Sequence, residues 1–383
     1  IEHAALDARG GALVRGPQGN TLFRLARVGG GASVTLTQFG RPLDTPAPGG
    51  PLAADPAGGA NAGVPVFVSF TRSLIRAEPD RLESLLAPGD PLPDNEILQW
   101  TGAIASNRNG DFALRAGSAR WEALYLWRNG RLSRVAQNSE ETRLPTGQRL
   151  RWFGGSLAVN NRGQVVCDAG FDGGSGLFLF AEGAPIQTIA LSGGSAPGGG
   201  SFLGFPQPAI DELGRVAFYA DVAPGRRALF YWESGRIRRI RQVGDPGPGG
   251  LAQSGFDGPL RAAGDKIYAF FNYPGQSEIA AYDGVAWRTA VSSTTLCSSS
   301  FSVSSAGDVL HYACLPDGSG GPVLRKPDGR DIVVAATGQR SAAGDWYYQF
   351  LQWTLSEQGE VFFTALTPAG PRERVTLFRA TPQ

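Results

Sequence analysis

Two histidines, His3 and His311, are the whole imidazole inventory of this 383-residue chain. Multi-histidine metal sites are thereby excluded, and His311 is left as the one realistic general base. It lies in the run VLHYAC, whose alternation reads as a strand, so its expected role is structural. No cysteine pair has zinc-ligand spacing, no phosphate loop ends in Gly-Lys-Ser/Thr, and no nucleophile elbow occurs. Carboxylates remain. Asp168, Asp172, Asp211, Glu212, Asp257 and Glu357 come from different parts of the chain and could converge for general acid and base work on a polysaccharide. Each also reads as a turn residue bonding its own backbone. The segments DAGFDGGSG from Asp168 and SGFDGP from Ser254 mix Asp with Gly, yet lack the fixed acidic alternation of a calcium loop and read as turns. Neither a metal nor a cofactor is expected, and no catalytic residue is assigned.

The recurrent feature with most promise is aromatic. Trp100, Phe153, Phe205, Phe256, Phe301 and Phe350 each stand six to ten residues ahead of a turn glycine. One reading makes them packing residues between repeats; the other makes them a ring of stacking platforms for a sugar or peptide. They are the candidate binding residues. Of the three cysteines, Cys297 and Cys314 are close enough to pair if the next hairpin folds back, and Cys167 reads as a buried small hydrophobe. One disulfide and one spare thiol would fit an exported protein.

These residues must be positioned by something regular, and the chain is regular. Aligning its hairpin turns on glycine gives Gly10, Gly58, Gly110, Gly163, Gly214, Gly264, Gly307 and Gly359, separated by 48, 52, 53, 51, 50, 43 and 52 residues. The copies begin near residues 4, 52, 103, 156, 208, 259, 303 and 354. The fifth reads as four strands: Ala209 and Ile210, then Val216 to Ala220, then Ala228 to Trp232, then Arg236 to Val243. Asn, Asp or Ser opens the first turn (Asn107, Asn160, Asp211, Ser304, Ser356), and glycine supplies the positive φ that the hairpin needs. Four short antiparallel strands with tight turns make one propeller blade, and a blade with two apolar faces must stack on its neighbours. The sequence therefore predicts an all-β fold. Residues 1–383 are expected to form one β-propeller of four-stranded antiparallel blades. Eight blades are expected; seven is the alternative, should Ser33 to Phe39 complete a last blade that lacks a fourth strand.

Composition narrows the partners. A formal net charge of +1 gives no electrostatic footprint for nucleic acid or anionic membrane. The arginines at 236, 238, 239 and 241 alternate with Ile237 and Ile240 and read as a solvated strand face. No run of eighteen apolar residues could span a bilayer as a helix. A start at Ile1 and the absence of methionine lead to the expectation of a processed, exported protein.

The turn motif resembles that of the bacterial "choice-of-anchor" tandem-repeat proteins, in which Asn, two variable residues, Gly, two variable residues and Ala-Phe recur. Asn107, Gly110 and Ala113 fit it, as do Asn160 and Gly163; Asp211, Gly214, Ala217 and Phe218 fit with Asp in place of Asn. The resemblance implies an exported protein at the cell surface or in the periplasm and implies no reaction. The expected function is accordingly a non-enzymatic binding or scaffold module for a protein or glycan, with a polysaccharide hydrolase or lyase as the alternative.

Overall fold

Alternating apolar and polar residues between glycine turns produce short strands, and the chain uses almost nothing else. The structure is a computed structural model. It describes strand backbones within residues 4–84, most of residues 85–366 with side chains, and the backbone of the last strand to 380. Among the described residues, 32 strands form eight antiparallel sheets in chain order.

The first sheet comprises β1 (Ala4–Leu6), β2 (Gly11–Gly16), β3 (Gly19–Arg27) and β4 (Val34–Gln38). The second comprises β5 (Leu52–Ala53), β6 (Val66–Val68), β7 (Leu74–Ala77) and β8 (Leu82–Leu86). The third holds β9 (Trp100–Ser106), β10 (Phe112–Gly117), β11 (Glu122–Arg128) and β12 (Arg131–Gln137). The fourth holds β13 (Leu150–Val159), β14 (Val165–Phe171), β15 (Gly174–Phe180) and β16 (Gln187–Leu191). In the fifth, β17 (Phe202–Gly204) and β18 (Pro208–Ile210) both pair with β19 (Val216–Val222), followed by β20 (Arg226–Glu233) and β21 (Arg236–Gln242). The sixth is β22 (Arg261–Ala263), β23 (Lys266–Tyr273), β24 (Gln276–Tyr282) and β25 (Trp287–Ser293). The seventh is β26 (Leu296–Val303), β27 (Val309–Cys314), β28 (Gly320–Arg325) and β29 (Asp331–Val333). The eighth has three strands, β30 (Gln349–Leu355), β31 (Val361–Ala369) and β32 (Arg372–Ala380). Strand β4 pairs with β3, and it also lies beside β32.

Each sheet is an up-and-down meander, and the first strand of each lies against the first strand of the next from β5 onward: β9, β13, β18, β22, β26, β30. The apolar clusters follow the same order. Val165, Cys167 and Ala169 face the third sheet with Leu124 and Leu126, whereas Val166 faces the fifth with Phe218 and Phe230. The third to seventh sheets thus bury both faces, which a sheet of short strands needs for stability.

The hairpin glycines Gly163, Gly214, Gly264, Gly307 and Gly359 have φ of 76°, 83°, 62°, 90° and 78°. A side chain would be strained there. Gly10, Gly58 and Gly110 lie outside the described residues. The polar residue that opens the turn does more than cap it. Asn160 Oδ1 accepts from the backbone N–H groups of Arg162 and Gln164 at 3.1 Å, while its Nδ2 donates to the Asp211 carbonyl of the fifth sheet at 3.0 Å. Asn107 repeats this, donating to the Asn160 carbonyl at 2.9 Å. The Asp211 carboxylate has no N–H to donate across the seam. It holds Arg215 instead, and Arg215 donates to the carbonyls of Asp265 and Asp283 in the sixth sheet.

A second repeated device joins the sheets. Five of the linkers fold into a miniature hairpin closed by a single bridge: Pro91 to Ile97, Arg143 to Arg149, Ser195 to Ser201, Pro246 to Ala252 and Arg340 to Trp346. In the first of these, Gly89 N–H donates to the Leu98 carbonyl and Leu98 N–H to the Asp90 carbonyl, at 2.8 and 2.9 Å. The linkers lie at the strand ends opposite the Asn turns.

Candidate functional site

Five of the six aromatic candidates are core residues in this structure. Phe153 and Phe301 are buried to 1% and 2% exposure, and Phe205, Phe256 and Phe350 to 6%. Each turns back toward the preceding sheet and fills the seam. Phe256 packs on Tyr219 at 5.3 Å between ring centroids, and Phe350 on Tyr312 at 6.3 Å. A ring held on both faces by protein leaves no face for a ligand, so packing accounts for these five.

Trp100 is different, and its counterpart is Trp152. Trp100 pairs across the strand with Gly117, and Trp152 with Gly170, whereas Phe153 pairs with Ala169. Spacing to the turn glycine misaligns the two sheets because the bulge in β13 spans Gly154, Gly155 and Ser156, one residue more than the bulge in β9. Both indoles lie on their glycine: a Cβ at Gly117 or Gly170 would overlap the ring. The bare backbone covers one face of each indole. Trp152 is 43% exposed and Trp100 is half-buried.

In the third and fourth sheets a charged residue occupies the strand position opposite the bulge. In the fifth and seventh sheets this position carries Tyr219 and Tyr312, which pack on the next sheet. The third sheet has Arg115 there and the fourth has Asp168. Arg115 Nη1 donates to the Phe153 carbonyl at 2.7 Å, its guanidinium stands 5.3 Å from the centre of the Trp100 ring, and its Nε is 3.6 Å from Glu122 Oε1. The same Glu122 oxygen accepts from Phe153 N–H at 3.0 Å. Asp168 fills the β13 bulge: the backbone of Ser156 hydrogen-bonds to its carboxylate, and a Cβ at Gly154 would overlap it. Burial raises the carboxyl pKa of both Glu122 and Asp168 above the ordinary range, and their hydrogen bonds and Arg115 oppose it only in part. The arrangement offers a flat apolar platform with two proton-tunable carboxyls and one guanidinium at its edge.

The other carboxylates do not join it. Asp211 serves its turn, Glu212 accepts from Asn161 N–H at 3.1 Å, and Asp172 pairs with Arg151. Asp257 and Glu357 lie outside the described residues. Among the described residues no group of three or more His, Cys, Asp or Glu could hold a metal ion. Arg115, Glu122 and Trp152 escape a linear reading, although two tryptophans each followed by a glycine seven positions beyond the turn glycine were a visible signal.

The arginines of β21 are a solvated face only in part: Arg236 and Arg238 are exposed, Arg239 and Arg241 half-buried. Arg238 lies over the Tyr231 ring at 5.3 Å and donates to the Gly284 carbonyl, and Arg241 lies over Phe271 at 4.9 Å; both tie the fifth sheet to the sixth. Arg239 turns the other way: it follows Arg238 in the strand alternation, and the bulge at Ile240 keeps it off the face that Arg241 occupies. Cys297 and Cys314 form a disulfide between β26 and β27, with Cα atoms 5.7 Å apart, and Cys167 is a buried thiol.

Residues 26–273 match a family of unknown function, DUF7453. The chain belongs to that family. No curated protein matches it. Its solved likenesses include a gluconolactonase from Xanthomonas campestris, 12% identical over 94% of this chain and 95% of that one, with a TM-score of 0.39. A lectin from Burkholderia pseudomallei is 15% identical over 87% and 97%, TM-score 0.43. The β-propeller domain of the Trilobed protease from Pyrococcus furiosus is 9% identical over 84% and 90%, TM-score 0.46.

Proposed function

We propose that the protein is a non-enzymatic β-propeller that binds a glycan through the Trp152 and Trp100 platforms, outside the cell or at its surface. Stacking of eight meander sheets through their first strands supports the propeller, because radial packing lets every sheet bury both faces. The exposed Cys297–Cys314 disulfide supports an oxidising compartment. The observation that carries the binding reading is Trp152, a large ring 43% exposed and seated on a glycine, with Asp168 in the adjoining bulge. A flat indole suits the apolar face of a sugar, and the carboxyls and Arg115 suit its hydroxyls.

Glycan-array binding followed by calorimetry on Trp152→Ala tests this. The expected result is a bound glycan whose affinity falls at least about tenfold in the variant, as removal of a central aromatic anchor does. Silence on the array, or full affinity in the variant, overturns it. The raised carboxyls of Glu122 and Asp168 favour a second reading, a polysaccharide hydrolase or lyase. Release of reducing ends by the protein, abolished in Asp168→Asn with glycan binding retained, would establish it.

A further inference from the structure

Under the loop that leads from the fourth sheet into the fifth, a cavity of about 400 Å³ opens at the linker end of the fifth sheet's strands. Its floor is apolar, from Val222, Ala228 and Phe230, and two arginines, Arg226 and Arg239, enter it. It lies on the outer strands, whereas Trp152 is on an inner one. The loop over it contains three successive glycines at positive φ, Gly198, Gly199 and Gly200, at 88°, 101° and 84°. The loop can come down on Arg239 only as glycine: a Cβ at Gly198 would overlap the guanidinium, and one at Gly200 would overlap the Ala223 carbonyl. Arg239 Nη1 donates to the Gly198 carbonyl at 3.1 Å, which holds one edge of the guanidinium and leaves the rest toward the cavity.

The arginines next to these two in sequence are neutralised locally. Arg227 beside Arg226 is paired with Asp221, Arg238 beside Arg239 with Glu233, and Arg128, Arg151, Arg215, Arg288 and Arg325 each have a carboxylate. Among the described residues, neither Arg226 nor Arg239 has an acidic partner. Two guanidinium groups on one small concave wall repel each other, and an anion between them removes that repulsion while forming charge-assisted hydrogen bonds. We propose that this cavity binds a small organic oxyanion, a carboxylate or phosphate on a body of about monosaccharide size, gripped by Arg226 and Arg239. The apolar floor takes the body and the guanidinium groups take the charge; the volume fits the lower end of the range for small-ligand sites.

Isothermal titration of the full chain at low ionic strength with glucuronate, glucose 6-phosphate and uncharged glucose tests the proposal. One or both anions should bind, glucose should not, and affinity should fall as salt rises. Which anion binds identifies the oxyanion. In Arg226→Gln/Arg239→Gln the affinity should drop by about tenfold or more, as loss of two charge-assisted contacts requires, and Trp152→Ala should leave it unchanged. Failure of both anions to bind, binding of glucose equal to that of the anions, or undiminished binding in the double variant overturns it. If the double variant does not fold, the single Arg226→Gln decides, since Arg226 is exposed: unchanged affinity there overturns the proposal.

Discussion

His311 sits on β27 with 2% of its surface exposed, and neither ring nitrogen has a hydrogen-bond partner. Burial pushes its pKa down to about 4, against a weak pull upward from Asp331. The folded protein therefore holds a neutral imidazole where the unfolded chain would take up a proton between pH 6.5 and 4. Stability falls across that window as pH falls, by about 3 kcal/mol, and levels off below it. Glu122 and Asp168 act in the opposite direction, because carboxyls with raised pKa favour the folded state on acidification. Comparing urea unfolding of the protein with His311→Leu at pH 7 and pH 4.5 isolates the imidazole: the variant should lose less stability than the parent. An equal loss in both would show that His311 is not the group responsible.

At the scale of single elements, the hairpins were the legible part. A polar opener and a positive-φ glycine set the first turn from within about five residues, so β13 to β14 and β18 to β19 can be read from the chain alone. The bulges could not be read, because a bulge exists only relative to a partner strand. Its length moved Trp152, not Phe153, into register with Trp100, and the bulge at Ile240 sent Arg239 and Arg241 to opposite faces of β21. The linker hairpins were missed for a related reason: their closure depends on single bridges such as Ser195 to Ser201, and their glycine and proline content reads as undifferentiated loop. The Cys297–Cys314 link belongs to this scale too. It spans 17 residues, from the start of β26 to the end of β27, around a bulged segment with poor ladder bonding. Closing a loop of that length restricts the unfolded chain by about 3 kcal/mol. Cys297→Ser/Cys314→Ser should lower the denaturation midpoint accordingly and leave the glycan affinity of the Trp152 platform intact. No change in the midpoint would mean that the bridge constrains nothing.

For the whole molecule, what matters is that the third to eighth sheets meet through apolar seams, with a polar ladder of turn residues from the third to the sixth, and among the described residues distant sheets share no cluster. Energetics in such an array run between nearest neighbours, so damage at one seam should stay there. Asn160 provides the test, being 1% exposed with four hydrogen bonds, two closing its own turn, one to Gln164 and one reaching Asp211. Asn160→Ala removes all four and leaves the buried Asp211 carbonyl without that donor, a loss of about 2 to 4 kcal/mol at roughly 1 kcal/mol for each bond. Hydrogen exchange under native conditions should then show faster opening of β13, β14 and β19 with β27 and β28 near their original protection. Asn160→Asp keeps the two turn bonds and loses only the donors, so it should fall between the two. Uniform acceleration through β27 and β28 would instead mean that the sheets open as one unit, and the ladder of turn residues would then be a local cap without a role in joining sheet to sheet.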